Sequence, residues 1–138
     1  MRALLLWVGC AWALCATAAE RVVTLAPNLA ELVCAVGACD ALVGVSAYSD
    51  YPAEVRSKLV LGDSASLNLE ALIALRPTAV LAWGGGTPVT VIQQMQRLGL
   101  PVRVVTTESL EEVATALETL GTQLAHAEEG RLAAQRLS

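Results

Sequence analysis

The chain has 138 residues, 55% of them hydrophobic but only 4% aromatic and none Phe, with a formal net charge of -4. Its apolar share argues against a disordered chain. An acidic, ring-poor surface argues against nucleic acid, which wants a basic face or stacking aromatics, and the length suits one domain with a buried core.

The first residues read as a targeting segment. Arg2 is followed by an apolar run from Ala3 to Leu14 and by Ala16-Thr17-Ala18, an A-x-A cleavage pattern. Residues 1–18 are therefore expected to be a secretory signal peptide, cut after Ala18. The run is too short to span a bilayer, which takes ~20 apolar residues. The residues before Cys10 and Cys15, Trp7-Val8-Gly9 and Trp12-Ala13-Leu14, fit a lipid-attachment box poorly. Removing the segment leaves 8 basic and 13 acidic residues, a net charge of -5. Two cysteines remain, Cys34 and Cys39, on either side of Gly37. In an exported, oxidising setting they read as a local disulfide or as two small buried thiols. They are too few for a zinc site, and His126 is far away in sequence.

From Arg21 onward, strands and helices alternate. Residues 21–25 are a β-branched strand, and Pro27-Asn28 a turn in which Asn28 can cap a helix. Leu29, Leu32, Val33 and Val36 fall on one helical stripe, which Gly37 ends. Residues 42–45 are a second strand, 47–52 a polar and aromatic loop, and Val60-Leu61 a strand fragment. Asn68 caps a short helix carrying Leu69, Leu72 and Ile73, stopped before Pro77. Residues 79–83 form a continuously apolar strand, as in a parallel sheet covered on both faces. Gly84, Gly85 and Gly86 form a loop, and Pro88 suits the first turn of a helix whose apolar face is Val91, Ile92, Met95 and Leu98. Residues 102–105 are a further strand. Ser109-x-x-Glu112 is a capping box ahead of a stripe of Leu110, Val113, Ala114, Leu117 and Leu120. Residues 122–138 read as helical.

This order implies an α/β fold, a mainly parallel sheet flanked by helices in a doubly wound lobe. Ligands of such sheets sit beyond the carboxyl ends of the strands, at a switch in strand order. That places attention on the loops at 26–28, 46–51, 84–87 and 106–108. Tyr48, Tyr51 and Trp83 are the only rings after residue 18, and all lie in or beside these loops. They read either as a flat apolar wall for a ligand or as packing at the sheet edge. Signs of catalysis are weak. No G-x-G-x-x-G follows the first strand, the three glycines lack a following G-K-[ST], and there is no G-x-S-x-G elbow. His126, in a polar stretch, reads as a surface residue, and Asp50 and Asp63 as turn-capping carboxylates. No catalytic residue, metal site or cofactor is expected.

The residues at these loops resemble a known family. The matching stretches are Arg21–Pro27 with Glu31-Leu32, Val43–Ser46 with Tyr48-Ser49-Asp50-Tyr51-Pro52, Asn68-Leu69-Glu70 with Ala74–Pro77, and Leu81-Ala82-Trp83. Together they resemble the periplasmic binding proteins of cobalamin and iron-siderophore ABC importers, two-lobed receptors with a long connecting helix. Tyr48–Pro52 and Ala82-Trp83 tilt the likeness toward cobalamin. The resemblance implies that Ala26, Pro27, Asn28, Tyr48, Trp83 and Gly84 line a corrinoid site. It also implies that Glu70 pairs with an arginine of the inner-membrane permease. A periplasmic location follows, as does a receptor that is monomeric when complete. Haem or a ferric siderophore is the alternative ligand, and an inactive fragment or a stand-alone secreted interaction domain the alternative role. Two positions depart from the pattern: Ser64 replaces a ligand-facing Trp, and Ala30 a common Thr. The division implied is a signal peptide at 1–18, a first lobe at 19–121 and the start of an inter-lobe helix at 122–138, with the second lobe absent.

Overall fold

The structure is a computed structural model that describes residues 18–137. The signal peptide expected at 1–18 lies, but for its last residue, outside the described residues. Five parallel strands form one sheet in the order β3-β2-β1-β4-β5. They are β1 (Val22–Thr24), β2 (Leu42–Val45), β3 (Leu59–Val60), β4 (Ala79–Trp83) and β5 (Val102–Val105). The connecting helices are α1 (Pro27–Ala35), α2 (Leu69–Ala74), α3 (Val89–Arg97), α4 (Leu110–Gln123) and α5 (Ala127–Gln135).

Alternation along the strands divides the core. On one face Val22, Ala79 and Leu81 meet Leu29 and Val33 of α1 and Leu117 and Leu120 of α4. On the other, Val23 and Val80 meet Leu72 of α2 and Met95 of α3. β1 and β4, central in the sheet, are buried almost throughout, which their unbroken apolar runs require. The expected stripes are narrower in practice: Leu98, just past α3, is 51% exposed and Leu110, opening α4, 68%.

Three local readings are corrected. α1 starts at Pro27, its capping position is Ala26, and no side chain caps it. Proline at the first helical position already lacks one of the orphan N–H groups, so Asn28 is free for another use. Residues 122–138 are not one helix. α4 continues through Gly121 to Gln123, a turn follows in which Ala125 takes φ 61°, and α5 starts at Ala127 and folds back on α4. His126 is part of that turn, half-buried rather than fully solvated. Its Nδ1 stands 3.3 Å from where a side chain at Gly37 would begin. Cys34 and Cys39 are joined by a disulfide that ties the end of α1 to the turn before β2, with Cα atoms 4.2 Å apart.

Candidate functional site

The strand order places the switch point between β1 and β4, where the chain leaves in opposite directions. The loop after β1 begins at Leu25, whose N–H donates to Leu81 O at 2.9 Å. β4 ends on Trp83. The loops expected to carry function therefore meet over the strand ends.

Trp83 is fixed from several sides. Its backbone N–H donates to Thr87 Oγ1 at 2.9 Å, and its indole Nε1–H donates to Thr107 Oγ1 at 3.0 Å. Asn28 Nδ2 donates to the same hydroxyl at 3.1 Å. Thr107, in the loop after β5, thereby joins three strand-end loops. Gly85 and Gly86 lie against the ring. A Cβ at Gly86 would fall 2.4 Å from Trp83 Cε3, so only glycine lets the chain cross there. Gly85 and Gly86 are thus packed on the indole.

Two hollows flank the indole. One, about 170 Å³, is lined by Ala26, Pro27, Tyr48, Asp63, Ser64 and Gly86 together with Trp83. The other, about 610 Å³, lies between Pro27, Asn28, Glu31, Thr107 and Val113 on the far side. Trp83 and Pro27 border both. Tyr48 stands on the rim, 85% exposed, with φ 66°. A left-handed backbone is uncommon for an aromatic residue, and such positions concentrate at functional sites. A third hollow, about 500 Å³, runs between β5 and α4 and has no aromatic lining. The candidate site is the one at Trp83, where a flat face and the switch point coincide.

Asp63 is the charged member of the smaller hollow. Its Oδ1 accepts from Ala65 N and Ser66 N, both at 2.9 Å, and from Ser66 Oγ at 3.0 Å. These donors, the Ala65 N–H first among them, hold its carboxyl below the usual carboxylate range, so it is ionised at neutral pH. Among the described residues no group of three or more His, Cys, Asp or Glu could hold a metal ion.

The structure brings Ala26, Pro27, Asn28, Tyr48 and Trp83 together. Gly84 is not among the residues lining either hollow; a Cβ there would meet Thr106 Cγ2 at 2.9 Å. Glu70 lies exposed in the first turn of α2, behind the Asn68 side chain, which accepts from Ala71 N at 3.0 Å. Sequence reasoning read Asp63 only as a turn-capping carboxylate, which its bonds to Ala65 and Ser66 bear out, and Ser64 only as a departure from the family pattern; it did not single out Gly86 or Thr107 beside Trp83. The 106–108 loop had been singled out, but nothing marked Thr107 within it. The place of Asp63 beside Trp83 was not legible because β3, two residues long, carries no periodicity.

The profile of the periplasmic binding protein family matches residues 22–138. The chain belongs to the periplasmic binding protein family. It is 37% identical over 121 residues to a vitamin B12-binding protein of Yersinia pestis (strain Pestoides F), an alignment covering 88% of this chain and 43% of that protein. In structure it is similar to the periplasmic vitamin B12 binding protein of Vibrio cholerae, with TM-score 0.81 and 34% identity over 86% of this chain and 47% of that one. It is also similar to a periplasmic heme binding protein from Pseudomonas aeruginosa, with TM-score 0.77 and 27% identity over 85% and 42% of the two chains. This periplasmic binding protein chain thus spans less than half the length of these relatives.

Proposed function

We propose that this chain is the first lobe of a periplasmic solute receptor for cobalamin or a related corrinoid. It serves an ABC importer through binding and docking, without catalysis. The observation that carries the reading is Trp83, held by Thr107 and Thr87 at the switch point, with a hollow on each side. A broad, flat macrocycle needs such a wall more than it needs charge. The names of the relatives support corrinoid first and haem second. The lining favours the same order. Asp63 and Glu31 are the charged residues of the two hollows, and neither hollow is lined by a lysine, arginine or histidine among the described residues. Haem carries two carboxylates, which want cationic partners.

Residues 19–123 form the body of the lobe in this reading, and α5 is the start of the inter-lobe connection. Residues 1–18 direct export to the periplasm, and the disulfide suits that compartment. Glu70 is the docking carboxylate for an arginine of the permease.

Equilibrium dialysis of the full chain against cyanocobalamin, haemin and a ferric hydroxamate siderophore, each alone and in competition, tests the ligand. Saturable binding of cyanocobalamin, one per chain and undisturbed by equimolar haemin, is expected. Preference for haemin or for the siderophore would move the assignment to that ligand.

A further inference from the structure

We infer that Asp63, seconded by Glu31 across the indole, selects the periphery of the ligand. The site accepts a macrocycle edged with hydrogen-bond donors such as carboxamides and rejects one edged with carboxylates at that position. The inference rests on the corrinoid reading and adds which chemical groups that reading requires beside Trp83.

The geometry is specific. Asp63 follows Gly62, at the start of the loop after β3. The donors from Ala65 and Ser66 all converge on Oδ1, and neither residue donates to Oδ2. One oxygen therefore pins the side chain while the other remains an acceptor. Asp63 and Ser64 line the smaller hollow with Tyr48 and Trp83. They also line a second, very small hollow with Leu67 and Val91. Where the family resemblance leads one to expect a second ring, Ser64 leaves a short hydroxyl. This flank of a mostly apolar hollow thus carries a hydroxyl and an anionic acceptor. On the opposite flank Glu31, exposed on α1, supplies the second carboxylate. An ionised acceptor receives an amide N–H well, through a charge-assisted hydrogen bond. It repels an approaching carboxylate, and like-charge juxtaposition is an effective means of excluding a competitor.

The test compares cyanocobalamin with its isomeric monocarboxylic acids, in each of which one peripheral carboxamide is hydrolysed. Binding to the full chain and to Asp63→Asn is read by equilibrium dialysis. The full chain is expected to bind cyanocobalamin about tenfold more tightly than at least one of the isomers. Asp63→Asn should narrow that ratio to about threefold or less, since Asn retains an acceptor for the Ala65 and Ser66 N–H groups without the charge. Raising the salt from about 0.05 M to about 0.5 M should narrow it in the unmodified chain too, a readout that needs no variant to fold. Equal affinity for amide and acid forms, or a ratio that neither salt nor Asp63→Asn changes, overturns the inference and leaves the corrinoid reading standing. Absence of cyanocobalamin binding beside firm binding of haemin overturns both.

Discussion

Thr107 shows how little is needed to fix the central ring. Its single Oγ1 receives the indole N–H at 3.0 Å and the Asn28 amide at 3.1 Å, so one hydroxyl ties the loops after β1, β4 and β5. Asn28, expected as a helix cap, serves this role because Pro27 opens α1 in its place. Glu70 is the contrasting case. It sits exposed in the first turn of a six-residue helix and lines none of the hollows around Trp83. A carboxylate near a helix N-terminus is favoured by the dipole by only ~0.3–1 kcal/mol, so its replacement has little effect on the fold. Glu70→Arg is expected to leave corrinoid binding within about twofold and to abolish permease-dependent uptake by whole cells, because it sets like charges face to face at the dock. A parallel loss of binding in dialysis, or normal uptake, would remove the docking role.

The helices and strands are unevenly legible in the sequence, for physical reasons. β1 and β4 were clear because strands covered on both faces need unbroken apolar runs. The Ser109–Glu112 box was clear because capping chemistry is local. Ser109 Oγ accepts from Glu112 N at 3.1 Å, and Glu112 Oε2 accepts from Glu108 N at 2.8 Å. The turn between α4 and α5 was missed because Leu124-Ala125-His126 contains neither glycine nor proline. The glycines sit instead where the two helices touch. A Cβ at Gly130 would lie 2.6 Å from Leu117 O and 3.0 Å from Gly121 Cα. Alanine in a helix gains ~1 kcal/mol over glycine, but forcing a methyl against backbone costs ~1–3 kcal/mol. The clash is expected to win. Gly130→Ala should lower stability by about 1 kcal/mol, equivalent to roughly 3–5 °C in Tm for a domain of this size. A thermal melt followed by circular dichroism checks it; an unchanged or raised Tm would show that the helices separate without cost.

At the scale of the molecule, the doubly wound order brings five strand-end loops, two aromatic rings and two acids to the same end of the sheet. The strand-end loops and Trp83 were legible in the sequence, since such folds place ligands beyond the strand ends, but which pair of strands forms the switch point was not. The acids were not, because the Asp63 loop gains its place only through a two-residue strand, and Glu31 only through the turn of α1. The chain covers 43% of the Yersinia pestis relative, and in the proposed reading it presents one wall of a receptor site. The central claim is that this wall is built around Trp83. About 25 cal/mol per Å² of apolar surface, applied to roughly 100 Å² of indole face, gives about 2.5 kcal/mol, or between tenfold and a hundredfold in affinity. The most direct measurement is equilibrium dialysis of cyanocobalamin against the full chain and against Trp83→Ala, with a cooperative melt as the check that the variant folds. Saturable binding by the full chain, weakened at least tenfold in the variant, is the predicted result. No saturable binding by the full chain, or equal binding by a folded Trp83→Ala variant, would contradict it.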